Sequence, residues 1–498
     1  MENSRRNILI IVLSLFIVCL CVALIGAGLL GYFFPINRII SLSSTNEPVA
    51  LITDVPTPIP TETQETLPSP TEISNPTPTE EASEPLPTAE ATEPPPEESI
   101  SPDIAAQMEQ IESEVIGLRN LQPSGTVKRS LLTRSQLREK LETDFFEDYT
   151  PEEARDDSIV LAALGLLESG FDMFTFYQDL LSEQIAGQYD HTKKEMDVIQ
   201  GVGFGGPERL TYAHEYAHAL QDQNFDIENG LNYTDESCEE DSERCAAIQA
   251  LLEGDASKLE LEWFTNYSTN QDLIDIQNFY ADYESPVYDN APAFLREDFI
   301  FPYTFGQAFV EYLYNISGWD AVDEAYRNVP VSTEQILHPE RYPLDQPENI
   351  EIPDLSPSLG DGWFELDKGV MGEWYTFLIL AHGQQPEARL ADFEAQAASD
   401  GWGGDVYVVY YNEQTGSVVL ILHTSWESVN DANQFYNAFQ KHSTARFGEP
   451  TDVQIDRLGW THPGGYTQLN TQNQFTTWIL APDLGMVEMI RSTIQGEE

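Results

Sequence analysis

The sequence predicts an α+β chain: a mainly helical domain with a short β-hairpin, then a small α+β domain, with a single transmembrane helix at the N-terminus. Three observations carry this. Helical apolar periodicity dominates residues 103–360, alternating strand patterns take over after about residue 365, and residues 8–34 are almost wholly apolar and free of charge. At 498 residues and 41% hydrophobic content, the chain has enough apolar material for two or three domains with their own cores.

Residues 8–34 are long enough to cross a bilayer as one tilted helix. Arg5 and Arg6 precede them, so the N-terminus is predicted to stay in the cytoplasm and the rest of the chain to lie outside, as a single-pass cell-membrane protein. A cleaved signal peptide would have a shorter apolar core and a small-x-small cleavage site, so an uncleaved anchor spanning residues 1–43 fits better. Cys19 and Cys21 fall inside it and read as inert lipid-facing thiols. Residues 44–102 are rich in Pro, Thr, Ser and Glu and hold 12 Asp or Glu but no Lys or Arg. Such a tract cannot bury enough apolar surface to offset chain entropy, and it is predicted to be a disordered spacer.

The formal charge of −60 leaves about −50 on residues 103–498. That field argues against a nucleic-acid partner, and it reads more simply as an acidic, soluble surface than as a trap for cationic substrates.

Residues 103–200 read as mostly helical. Ser101-Pro102 starts a helix, Thr133 with Gln136 makes a capping box, and Thr150 with Glu153 makes another, with Pro151 at its first position. A turn at Asp190 to Lys194 then leads to a strand with Met196, Val198 and Ile199. A strand just before the next helix can receive an extended peptide or simply cover the core.

That helix, residues 207–225, is the centre of the chain. Leu210, Ala213, Ala217 and Leu220 keep a helical period, and His214, Glu215 and His218 form His-Glu-x-x-His. Two His four apart share one helix face and can bind a single Zn²⁺, beside which Glu215 can act as general base. Cys238 and Cys245, in the acidic loop that follows, are expected to form a local disulfide. A catalytic zinc needs a third protein ligand, and Glu253, on the next helix, is the candidate. Asp255 is a weaker candidate to orient a ligand imidazole, because its helical phase is opposite to that of Glu253.

His-Glu-x-x-His followed by the Glu-Gly-Asp-Ala of Glu253 to Ala256 resembles the gluzincin metallopeptidases, a peptidase-MA-like group, over roughly residues 185–340. The resemblance implies a zincin-like protease domain at 103–360, zinc on His214, His218 and Glu253, and Glu215 as general base. It also implies a downstream His or Tyr that stabilises the oxyanion, for which His338 and Tyr303 are the candidates. Residues 361–498 hold a hairpin, further strands and helices with no cluster of catalytic types, and read as an accessory α+β domain.

The expected function is therefore a membrane-anchored, extracellular-facing zinc metallopeptidase that hydrolyses peptide bonds with zinc-activated water. Its partners are a peptide or protein substrate and, through the N-terminal helix, the membrane. The alternatives are hydrolysis of a non-peptide amide, or a zinc-stabilised surface binding module without catalysis.

Overall fold

A computed structural model describes residues 100–495 except 147–148 and 201–202. Several helix starts follow from a local signal. Ser101 caps α1 (Pro102–Arg119), and capping boxes at Thr133 and Thr150 open α2 (Arg134–Phe145) and α3 (Pro151–Leu164). Gly165, at φ 83°, ends α3 in the left-handed conformation that glycine adopts without strain. Next come α4 (Met173–Gln184), strands β2 (Gly187–Asp190) and β3 (Glu195–Ile199), and α5 (Gly206–Phe225). An earlier strand, β1 (Lys128–Leu132), pairs parallel with β3, while β2 pairs antiparallel with it, giving a three-stranded sheet in the order β1-β3-β2. Alternation along β3 decides which helix each face meets. Met196 and Val198 are buried on the side of Tyr189, whose hydroxyl donates to Asp222 of α5, whereas Asp197 faces Lys140 of α2 at 2.7 Å.

A short α6 (Asp235–Glu240) precedes α7 (Ser242–Tyr267), the longest described helix at 26 residues. Then follow α8 (Asn270–Asp282), α9 (Pro286–Asp289), α10 (Ala293–Ser317), α11 (Trp319–Arg327), α12 (Thr333–Leu337) and α13 (Ser356–Leu359). Helices α7 and α10 run against one another with almost no gap. A methyl group at Gly254 would collide with the Gly306 carbonyl, and one at Gly306 with the Ala250 carbonyl. Pro302 lies inside α10.

The remainder is β4 (Trp363–Gly369), α14 (Gly372–Ala381), a 3₁₀ turn, α15 (Asp392–Ser399), β5 (Trp402–Asn412), β6 (Ser417–Trp426), α16 (Val429–Phe447), β7 (Asp452–Val453), β8 (Arg457–His462), β9 (Gly465–Gln472), β10 (Phe475–Ala481) and α17 (Leu484–Gln495). All seven strands join in one antiparallel sheet, β4-β5-β6-β10-β9-β8-β7. Its two faces are both covered. Val406, Val408 and Ile421 pack with Val487 and Ile490 of α17, while Tyr407, Val409 and Leu420 join the main core on the other side. Helix α14 is buried all round, and Trp374 and Tyr375 donate from it to Asp298 of α10. One core therefore runs from Tyr149 through α14 to Trp478, across the loop where a boundary at 360–361 was expected.

Two expectations are corrected. The C-terminal unit, expected as a hairpin with further strands and helices, is a seven-stranded sheet, because β4 and β8 are strands whose polar residues and glycines hide the alternation and β7 has only two residues. The second is the expected single transmembrane helix, and with it a cell-membrane location, which the described residues do not supply. No helix among the described residues is long and apolar enough to cross a membrane; α7 and α10 have the length but carry charges such as Lys258, Glu260, Glu297 and Asp298. Residues 8–34 and the spacer at 44–99 lie outside the described residues.

Candidate metal centre

Helices α5 and α7 carry the centre. His214 and His218, one turn apart on α5, face each other with ring centroids 4.8 Å apart. Glu253 of α7 reaches between them, with Oε2 3.2 Å from His214 Nε2 and 3.5 Å from His218 Nε2. All three side chains are fully buried, and their donor atoms lie within 4.8 Å of one another. Ligands held about 2.0 to 2.2 Å from one tetrahedral ion sit about 3.4 Å apart, and the two His–Glu distances bracket that value.

The backs of the rings are fixed as well. His214 Nδ1 is 2.9 Å from Glu260 Oε2, and His218 Nδ1 is 2.9 Å from Gln221 Oε1, whose amide donates to the Leu252 carbonyl at 3.0 Å. Each Nδ1 is thus engaged on the outer side, which leaves each Nε2 lone pair to point inward. Sequence reading missed both partners. Glu260 is seven residues beyond Glu253, nearly two full turns, and Gln221 is three beyond His218, so helical phase was the available signal.

The electrostatics leave room for a cation. Burial raises the Glu215 carboxyl well above its ordinary range, and Glu253 and Glu260 add to the effect. Burial alone would lower His214, but its bonds to Glu253 and Glu260 outweigh this and raise it to about 10. Burial likewise opposes ionisation of Glu253, yet His218 and His214 hold it below the usual carboxylate range. Both oxygens of Glu215, His218 Nε2, Glu253 Oε1 and Glu260 Oε1 are buried without a hydrogen-bond partner. Buried polar atoms are rarely left so, and His218 Nε2 and Glu253 Oε1, on the residues whose donor atoms converge, fit a site that takes a divalent ion.

Glu215 lies beside the small sheet. Gly187 of β2 sits so close that a Cβ there would come 3.3 Å from the Glu215 Cγ. The other candidates lie elsewhere. Asp255 faces away from the centre and accepts from Arg119 at 2.8 Å and from Tyr326 at 2.8 Å, as its opposite helical phase dictates. Tyr303 is a buried residue of α10. His338 is paired with Glu373 at 3.0 Å rather than with any member of the centre. Its segment is tied to α7 at Glu243, which accepts from Thr333, and Glu243 lies ten residues, about 15 Å of helix, from Glu253. The expectation that His338 stabilises an oxyanion at this centre is therefore not met by its position. Cys238 and Cys245 form a disulfide, Cα–Cα 5.4 Å, that joins α6 to the first turn of α7.

A family model described as "Domain of unknown function (DUF8575)" matches residues 363–491, from β4 into α17, and leaves the metal centre outside the match. No curated protein and no solved structure matches the chain.

Proposed function

We propose that the chain is a zinc-dependent hydrolase of peptide bonds, with His214, His218 and Glu253 as ligands and Glu215 as general base. The observation that carries this reading is the Glu215 carboxylate, fully buried with both oxygens unpartnered, one residue along from a candidate ligand. A site that held a metal for structure alone gains nothing from it, and burying an unpaired polar group costs about 1–3 kcal/mol or more. Two imidazoles and one carboxylate suit zinc with a fourth position open. Zinc, when bound, would polarise a carbonyl oxygen and bring the pKa of a coordinated water to about 7.

The chain's own groups supply the rest. Burial gives Glu215 a raised proton affinity, so its carboxylate takes a proton from water and delivers it to the amine nitrogen of the broken bond. Glu260 and Gln221 hold the two rings in orientation. Strand β2 is the edge of the small sheet and touches Glu215 through Gly187, so an extended peptide can pair there as an added strand. The likeness of the motif pair to gluzincins supports the same substrate class.

One observation favours a second reading. His214, Glu215, His218 and Glu253 are all fully buried, as in a closed structural site, and the domain would then be a metal-stabilised binding module. Zinc-loaded protein offered casein separates the two. Cleavage abolished by a chelator and restored by zinc supports the peptidase; stoichiometric zinc without cleavage of any peptide supports the module.

A further inference from the structure

We propose that His338, Glu373 and Asp400 form a second divalent-metal site, distinct from the His214 centre, that clamps the helical part of the chain to the large sheet. His338 follows α12, Glu373 lies in the first turn of α14 and Asp400 follows α15, so three separate segments each bring one donor. The three donor atoms lie within 4.8 Å of one another. His338 Nε2 is 3.0 Å from Glu373 Oε1 and 3.8 Å from Asp400 Oδ1. These spacings again bracket the separation of about 3.4 Å between two ligands of one tetrahedral ion.

A hydrogen bond between His338 and Glu373 accounts for the shorter distance, but it leaves half of the carboxylate unexplained. The Glu373 side chain is 4% exposed, and its Oε2 is buried with no partner. The local charge points the same way. Arg341 pairs with both Glu334 and Asp400 and lies 3.8 Å from Glu427, so one guanidinium is shared among three carboxylates. Burial and then the neighbouring Glu373 push the Glu334 carboxyl up to about 9, as expected where positive charge is short. A divalent cation on Glu373 supplies the missing charge and gives Oε2 a partner.

The donor chemistry narrows the ion. One imidazole nitrogen and two carboxylates suit zinc or manganese, whereas calcium takes oxygen ligands. His338 and Asp400 are 25% and 50% exposed, which gives the ion a route in from solvent. Glu373 sits one residue before Trp374, which donates to Asp298 of α10, so an ion held there would join α12, α14 and α15 beside the core that α10 and α14 share.

The test is metal content of the full chain after equilibration in buffered zinc. Wild type should retain two zinc ions per chain, and Asp400→Asn and Glu373→Gln one each, with affinity for the second ion reduced at least about tenfold. Excess calcium should not displace it. Asp400 is half exposed, so that variant keeps its fold if the buried Glu373→Gln does not. A single zinc lost in His214→Ala but kept in Asp400→Asn would overturn this site and leave the peptidase reading intact. A single zinc lost in Asp400→Asn but kept in His214→Ala would support this site and remove the other. Wild type that retains no metal overturns both.

Discussion

Glu253 and Glu260 approach the same imidazole from opposite sides: Glu253 Oε2 lies 3.2 Å from His214 Nε2, and Glu260 Oε2 lies 2.9 Å from His214 Nδ1. The seven residues between them are nearly two turns of α7, so one helix stripe carries both the ligand and the group that orients its neighbour. Orientation of this kind typically contributes 10- to 100-fold to metal affinity. Glu260→Ala should weaken zinc binding by about that factor in a chelator competition, with the fold retained. Glu260→Gln should lose less, since its amide oxygen still accepts from Nδ1. Unchanged affinity in Glu260→Ala would mean that the contact does not orient the ring.

The protonation of His214 gives a pH signature. In the metal-free chain its bonds to Glu253 and Glu260 outweigh burial and raise it to about 10, above the ordinary imidazole value of about 6.5. A raised folded value means that the charged ring stabilises the metal-free fold fully below about pH 6.5, and that this contribution fades as pH rises through about 10. Zinc needs the neutral ring, so uptake at pH 8 should release about one proton. Calorimetric titrations in two buffers of different ionisation enthalpy measure it, best in Glu215→Gln, where the neighbouring carboxyl no longer titrates. Zinc binding with no proton release would contradict the His214 assignment.

The close approach of α7 and α10 is an independent lever on the centre. Gly254 follows Glu253, and a methyl group there would strike the Gly306 carbonyl. Gly254→Ala should destabilise the fold by about 1–3 kcal/mol or more, because the helices must separate, and should weaken zinc binding by moving Glu253. Chemical denaturation with and without zinc reads both effects. Wild-type stability would show that the helices part at no cost.

The disulfide closes a short loop at the start of the same helix. On the chain-entropy account, breaking a loop of this size costs about 2 kcal/mol. Cys238→Ser with Cys245→Ser should lower the unfolding midpoint accordingly while leaving zinc stoichiometry unchanged. Intact-mass measurement should find the wild type two hydrogens lighter than its reduced form.

Much of the centre was legible in the sequence, because helical spacing alone places His214, Glu215 and His218, and the need for a third ligand selects Glu253. Glu260 was equally available from its phase and was overlooked in favour of Asp255, which the same phase turns toward Arg119 and Tyr326. His338 misled because a histidine's partners depend on tertiary packing, here the buried Glu373 brought from 35 residues away. Helix starts were readable wherever a cap was written into the chain, as at Ser101, Thr133 and Thr150. The large sheet was legible only in part: β4 and β8 mix polar residues with glycine and β7 has only two residues, so no local pattern announces them.

On the proposed reading Glu215 moves the proton while His214, His218 and Glu253 hold the metal, and one substitution separates these roles. Glu215→Gln keeps the volume and removes a buried, unpaired carboxylate, so it should retain about one zinc at the His214 centre and should not lose stability. General-base catalysis contributes about 10²- to 10⁴-fold, so the decisive measurement is the rate of peptide cleavage by zinc-loaded Glu215→Gln beside wild type. The rate should fall at least about a hundredfold at equal zinc content; equal rates in the two proteins would show that Glu215 is not the base.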